Sequence, residues 1–364
     1  MDVGELVAGA RRQEPRALGR LLSLVEHESA LLPGVMAALA PHTGHAVVIG
    51  LTGPPGVGKS TTTSALISRY RQNGYRVGVL AVDPSSPFSG GALLGDRVRM
   101  HDHAGDRGVF IRSMASRGHL GGLSVATPQA VRVLDAAGFD VVLIETVGVG
   151  QSEVEVAALA DTTVVLMAPG SGDGVQAAKA GILEVGDVFV VNKADRDGAA
   201  ATARDLRQML ALSDRAWRPP VVSVVATTGR GMADVVEALG AHRTWLRGSG
   251  ELESRRRARA AAEIEALVIA RVRRRLAALG GPVPADDPYA AADALLRRVC
   301  GDWADVAVTQ EQQGLERGHG GTDDAQHETR AGRPVHGLRD EAPLRGVAAG
   351  QAHDGEDRVT GEPE

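Results

Sequence analysis

Cysteine is almost absent: Cys300 is the one instance in 364 residues. That excludes an internal disulfide and any metal site of the CxxC kind, and it predicts a reducing, cytoplasmic setting. Apolar runs are short, none approaching the roughly 20 residues that span a bilayer, so no membrane role is expected. The first residues place Asp2 and Glu5 before Arg11-Arg12, which is not the basic-then-apolar layout of a secretory signal. Strong charge of either sign is also missing, the formal net charge being -5, and this argues against nucleic acid as an obligatory partner. What remains is 43% hydrophobic and 23% charged, the balance of a globular protein long enough for one large domain with an appendage or for two.

The informative stretch runs from Val47 to Thr61. An apolar run that reads as a buried parallel strand ends in Gly53-Pro54-Pro55-Gly56-Val57-Gly58-Lys59-Ser60, and a helical pattern follows from Thr61 to Arg71. Glycines let backbone N–H groups turn inward around phosphate oxygens, and the helix N-terminus adds a positive potential there. Lys59 is placed to reach the β- and γ-phosphates, and the Ser60 hydroxyl to ligate Mg²⁺. Strand, loop and helix in this order predict a nucleoside triphosphate site.

Before that stretch, residues 1–46 read as helical, with Leu18, Leu21, Leu22 and Val25 at helix spacing and a break near Leu32-Pro33. We read them as a cap packed on the nucleotide domain. From 47 to 247, Val/Ile-rich runs near 47–52, 76–82, 108–114, 140–145, 162–168, 187–192 and 220–225 alternate with helical patterns. This predicts a doubly wound α/β domain with a mostly parallel sheet, its ligand at the carboxyl ends of the strands.

Several of those strand ends carry chemistry. The second expected strand runs into Asp83-Pro84, with Asp96 beyond, and the fourth ends in Glu145-Thr146-Val147-Gly148. An acid at the tip of a core strand beside a phosphate loop is where Mg²⁺ is held, directly or through water. Helix capping is the other reading of Asp83 and Asp96; Glu145, closing so apolar a strand, fits it poorly. Gly148 permits a loop to swing its N–H toward a γ-phosphate. Lys59 and Glu145 are thus the candidate catalytic residues, with Ser60, Asp83, Asp96 and Glu145 the candidate metal set.

The sixth expected strand ends in Asn192-Lys193-Ala194-Asp195. A carboxylate here can accept from both the ring N–H and the exocyclic amino group of guanine, a pair of donors adenine lacks. Lys193 can lay its stem along the base, and Asn192 can tie the loop down. The nucleotide predicted is therefore GTP. Thr227-Thr228-Gly229 is a further candidate for the base edge, though an ordinary loop explains it almost as well.

Residues 248–302 form a C-terminal helical segment in which Ile264, Leu267, Val268, Val272, Leu276 and Leu279 make an apolar stripe beside Arg255-Arg256-Arg257 and Arg273-Arg274-Arg275. No aromatics interleave with these arginines, so we read them as a solvated face or a subunit contact and not as a nucleic-acid surface. Residues 303–364 lose nearly all large aliphatic side chains and are expected to be disordered.

With these residues placed, the chain resembles the MeaB/ArgK family, the GTPases associated with methylmalonyl-CoA mutase, over roughly residues 15–300. The resemblance rests on Gly53 to Thr61, Val82 to Pro87, Glu145 to Glu153, Gly172 to Gly181 and Asn192 to Asp195. It implies a Mg²⁺-dependent GTPase, cycling between GTP and GDP, that chaperones an adenosylcobalamin-dependent acyl-CoA mutase, gates loading of the cofactor and helps to rescue inactivated mutase. It also implies a homodimer joined through C-terminal helices, and a partner-responsive loop around Asp173 to Lys179. A glutamine in the register used by better-known switch GTPases is lacking after Glu145, Gln151 lying further along, so no general base is assigned. The alternatives are an ATPase or kinase linked to lysine/arginine/ornithine transport, a metallochaperone GTPase and a switch without appreciable hydrolysis. The metallochaperone reading wants a Cys/His cluster, whose spacing the expected folded part does not offer.

Overall fold

The computed structural model describes residues 2–84, 103, 105–116, 126–146, 152–170, 183–281 and 287–300. The alternation of apolar runs and helical patterns builds seven strands, β1 (Val47–Thr52), β2 (Val77–Pro84), β3 (Val109–Ser116), β4 (Val141–Thr146), β5 (Thr162–Met167), β6 (Val188–Val191) and β7 (Val221–Ser223). They form one sheet in the order β3-β2-β4-β1-β5-β6-β7, and every pairing between them is parallel. All seven expected strands are present within a few residues of their expected bounds. The chain crosses over β4's place on leaving β1 and later returns to fill it, so β1 lies at the reversal of strand order where open α/β sheets bind ligands.

Both faces of the sheet are covered, which is why the strands read as continuous apolar runs instead of alternating ones. On one face Ile49, Leu51, Val141 and Leu143 pack with Leu66 and Ile67 of α4 (Lys59–Gln72) and with Val235 and Leu239 of α8 (Met232–Ser249). On the other, Val48, Val142 and Ile144 meet α5 (Ala126–Ala136), Val156 of α6 (Ser152–Leu159) and the N-terminal helices. Those helices are α1 (Val3–Arg11), α2 (Pro15–Glu26) and α3 (Leu32–Leu39). The chain breaks before Leu32, and Pro33 sits in the first turn of α3, where its missing N–H costs no hydrogen bond. Leu18, Leu21, Leu22 and Val25 of α2 are fully buried, each contributing about 1.5–3 kcal/mol. Further along, α7 (Ala199–Ala211) packs Ala203 and Leu206 against Phe189 and Val191.

After α8, α9 runs unbroken over 28 residues, Glu251–Ala278. Its first half corrects the expectation for the arginine run: Arg255 and Arg256 are not a solvated face. With Arg259 they reach buried carboxylates at the amino end of the sheet. Asp187 accepts two bonds from Arg255, at 2.8 and 3.0 Å, and Asp161 accepts from Arg256 at 2.9 Å and Arg259 at 3.3 Å. The second half of α9 is different, with Ile264 63% and Val268 54% exposed.

The chain divides into two units, Met1–Leu295 and Leu296–Glu364. The described residues of the second are the last turn of α10 (Pro288–Cys300). No helix among the described residues is long and apolar enough to cross a membrane.

Candidate functional site

At the carboxyl end of β1 the chain turns through Gly53, Gly56 and Gly58, all at positive φ, and enters α4 at Lys59. Gly53 and Gly58 are required: a Cβ would overlap the Leu166 carbonyl oxygen at the first and the Asn192 amide at the second. Val57 is fully buried and anchors the loop in the core, while Pro55 and Gly56 are exposed at its crest, Pro54 and Thr61 being half-buried. The Lys59 ammonium donates to the carbonyl oxygens of Gly53 at 2.6 Å and Pro54 at 3.1 Å. It is thereby folded back onto the backbone of the loop.

Glu145 is held across from Lys59's helix. Along β4 it falls on the same side as Val141 and Leu143, whose side chains pack on the face that carries α4, so its carboxylate is delivered to the start of that helix. It is 2% exposed and accepts from the Ser60 hydroxyl at 2.6 Å and the Thr63 hydroxyl at 2.8 Å. A buried carboxylate beside a hydroxyl at the mouth of a phosphate loop is a hard oxygen set of the kind Mg²⁺ takes, and the chemistry of these donors fits that ion. Asp83 is the last residue but one of β2, in register with Ala115 of β3. Ala81, two residues earlier, pairs with Glu145, which brings the two acidic positions to adjacent strand tips.

The loop after β6 is tied to the glycine loop that follows β1. Asn192 donates to the Val57 carbonyl at 2.8 Å and accepts from the Ala226 N–H at 3.1 Å. One amide therefore joins the phosphate loop, the end of β6 and the segment after β7. Lys193 takes a positive φ of 57°, which turns its side chain back so that the ammonium reaches the Gly56 carbonyl at 2.6 Å. Asp195 is exposed on the same loop, as are Thr227 and Thr228 after β7; the Thr228 hydroxyl donates to the Val225 carbonyl at 3.2 Å.

Of the residues singled out from sequence, Gly53 to Thr61, Glu145, Asn192, Lys193 and Asp195 thus gather at the tips of β1, β4 and β6. Asp96, Gly148, Gln151, the 172–181 loop and the 303–364 tail lie outside the described residues. Among the described residues no cluster of His, Cys, Asp and Glu could hold a metal ion by itself. Thr63 escaped the sequence reading; its signal is a hydroxyl three residues after Ser60, on the same face of a helix.

At the opposite end of the sheet, Asp161 and Asp187 immediately precede β5 and β6 and are nearly inaccessible. Burial pushes the Asp161 carboxyl up, but the Arg256 hydrogen bond, the charges of Arg256 and Arg259 and the Val48 N–H together hold it below the usual carboxylate range. His242 of α8 is fully buried against Trp217 and Trp245. Burial pushes its pKa down to about 4, outweighing the pull of Asp187, so it is neutral near pH 7. One imidazole nitrogen shares a 2.9 Å bond with Thr162.

A parallel sheet whose first strand feeds a glycine loop, a lysine and a hydroxyl at a helix start, with an acid on a neighbouring strand tip, defines a P-loop nucleotide-binding protein. The comparison with known families narrows the class. The chain belongs to the family described as methylmalonyl Co-A mutase-associated GTPase MeaB, whose profile matches residues 18–280; it is a GTPase by family. A protein of Pyrococcus horikoshii named as a GTPase is 44% identical over 313 residues, covering 82% of this chain and 99% of that one. The GTPase ArgK of Escherichia coli is 39% identical over 261 residues, 69% of this chain and 79% of its own. A crystal structure titled LAO/AO transport system kinase superposes with a TM-score of 0.64 at 28% identity, covering 86% of this chain and 97% of that one.

Proposed function

We propose that this chain is a Mg²⁺-dependent GTPase that chaperones an adenosylcobalamin-dependent acyl-CoA mutase of the methylmalonyl-CoA type, gating cofactor loading and protecting or reactivating the client. The observation that carries the nucleotide chemistry is the meeting of Lys59, Ser60 and Glu145 at the mouth of the glycine loop; family membership supports the client. Attack of water on the γ-phosphorus breaks its bond to the β,γ-bridging oxygen and yields GDP and phosphate. The work left to the protein is positioning and charge neutralisation.

In this reading Lys59 moves from its carbonyl partners onto the β- and γ-phosphates, and backbone N–H groups of residues 53–61 line the phosphate tail. Ser60, Asp83, Asp96 and Glu145 hold Mg²⁺, directly or through water; when bound, the ion neutralises charge that develops on the phosphate oxygens. Asp195 accepts from the guanine edge, and Gly148 belongs to the loop that senses the γ-phosphate. Residues 47–247 are the GTPase domain, and the exposed Ile264 and Val268 side of α9 belongs to a dimerisation segment, 248–302, which joins two copies in the cytoplasm.

The test is GTP turnover by the full chain with and without a methylmalonyl-CoA mutase. Mg²⁺-dependent hydrolysis that the mutase accelerates is the expected result, with co-elution of the two proteins. Turnover indifferent to every adenosylcobalamin-dependent mutase tried would contradict the chaperone role while leaving the GTPase intact. The name of the structural relative favours a second reading, a kinase acting with ATP. Nucleotide competition separates them, since tighter ATP than GTP binding would support the kinase.

A further inference from the structure

We propose that Thr63 is a positioning residue that fixes the Glu145 carboxylate for the cation site, an inference that rests on the reading of Ser60 and Glu145 as cation-holding groups. Glu145 is almost fully buried, and a buried carboxylate needs hydrogen-bond donors on its lone pairs to offset lost hydration. α4 supplies two, from positions three residues apart on one helix face. Ser60 donates to one carboxylate oxygen at 2.6 Å and Thr63 to the other at 2.8 Å. Together they form a fork that sets both the position and the plane of the carboxylate.

The two prongs have different duties. Ser60 sits at the mouth of the loop, where its oxygen is also wanted by the cation. Thr63 lies one turn deeper and is wholly buried. Its other neighbour within hydrogen-bond reach is the Lys59 carbonyl at 3.1 Å, the usual alternative for a helical threonine. The shorter contact is the one to the carboxylate. Thr63 can therefore hold Glu145 in place whichever way Ser60 turns, without touching substrate or cation. A valine at this position keeps the volume and removes the donor. The carboxylate then loses the bond that fixes its second oxygen and is held less tightly about its last torsion.

The experiment reads Mg²⁺ binding instead of turnover. The full chain is saturated with GDP, and the Mg²⁺ concentration that gives half of the rise in Tm is measured for wild type, Thr63→Val and Thr63→Ser. GDP affinity is measured in parallel with Mg²⁺ chelated. Loss of one charge-assisted bond predicts that Thr63→Val needs about tenfold more Mg²⁺. Its metal-free GDP affinity should stay within about twofold of wild type, and Thr63→Ser should restore the wild-type Mg²⁺ response.

Equal Mg²⁺ requirements in Thr63→Val and wild type overturn the inference. So does a parallel loss of metal-free GDP affinity, which would mean that the whole loop had shifted. If valine prevents folding, Thr63→Ala carries the same measurement; failure of both to fold would assign Thr63 to core stability alone and likewise overturn it. The underlying reading fails separately: a wild-type chain that binds GDP with no response to Mg²⁺ removes the cation site before Thr63 is at issue.

Discussion

At the amino end of the sheet, Asp161 and Asp187 are gripped by three arginines from α9, whereas at the carboxyl end Glu145 is held by two hydroxyls from α4. All three carboxylates are nearly inaccessible to water. Their company separates their roles. Guanidinium groups fix a carboxylate by charge and geometry together, which suits a joint between a helix and a sheet. Hydroxyls satisfy a carboxylate and still have oxygen lone pairs to share with a cation, which suits a site that must admit and release a ligand. Burial of an acid is thus no guide to function until the chemistry of its partners is known.

Lys59→Ala should break the carboxyl end alone and produce the largest effect. On the proposed mechanism, loss of the Lys59 charge should lower single-turnover GTP cleavage by about 10²–10³-fold, with the denaturant midpoint little changed. Equal loss of stability and activity would erase the distinction between the two ends.

Asp187→Ala should do the reverse. It takes the bidentate partner from Arg255 and the buried acceptor from the Thr163 N–H. Breaking such a buried pair costs about 3–5 kcal/mol, read from urea unfolding, while the protein that remains folded should bind GDP as wild type does. A variant that is stable but blind to nucleotide would contradict this.

A smaller and pH-dependent effect belongs to His242, also at the amino end. Its pKa is about 4 when folded, against the ordinary imidazole value of 6.5. Between these values the unfolded chain binds the extra proton, so stability falls as pH is lowered through the window, by up to about 3 kcal/mol. His242→Phe should remove that share of the slope, whatever its own stability at pH 7. Identical slopes for the two proteins between pH 4 and 6.5 would show that the folded chain protonates the imidazole as readily as the unfolded one does.

The sheet was legible in the sequence because two-sided burial demands unbroken Val/Ile runs, and those runs mark each strand. Gly53, Lys59 and Ser60 were legible because phosphate binding needs fixed residue types at fixed spacing. Glu145 stood out because an acid closing an apolar strand has no cheap structural excuse. Asn192 was read as a tie for its loop, and the tie runs to Val57 and Ala226. The amino end was not legible. Asp187 and Arg255 are 68 residues apart in the chain, and an arginine on a helix looks the same in sequence whether it meets solvent or a buried aspartate. Thr63 was missed for a related reason, since its hydroxyl matters only once β4 delivers Glu145 beside it.

If the carboxyl end of the sheet selects a guanine nucleotide, Asp195 is the residue whose replacement by asparagine should show it. Equilibrium binding of GTP, ATP and xanthosine triphosphate should be compared between this variant and the wild-type chain. Wild type should prefer GTP to ATP, and the variant should lose about 10²-fold in GTP affinity, the worth of bonds to a charged acceptor. It should gain affinity for xanthosine triphosphate, whose exocyclic 2-oxo oxygen can accept from the new amide N–H. Unchanged affinity for GTP and xanthosine triphosphate in the variant, or a wild-type chain that takes ATP as readily as GTP, would rule out guanine selection by Asp195.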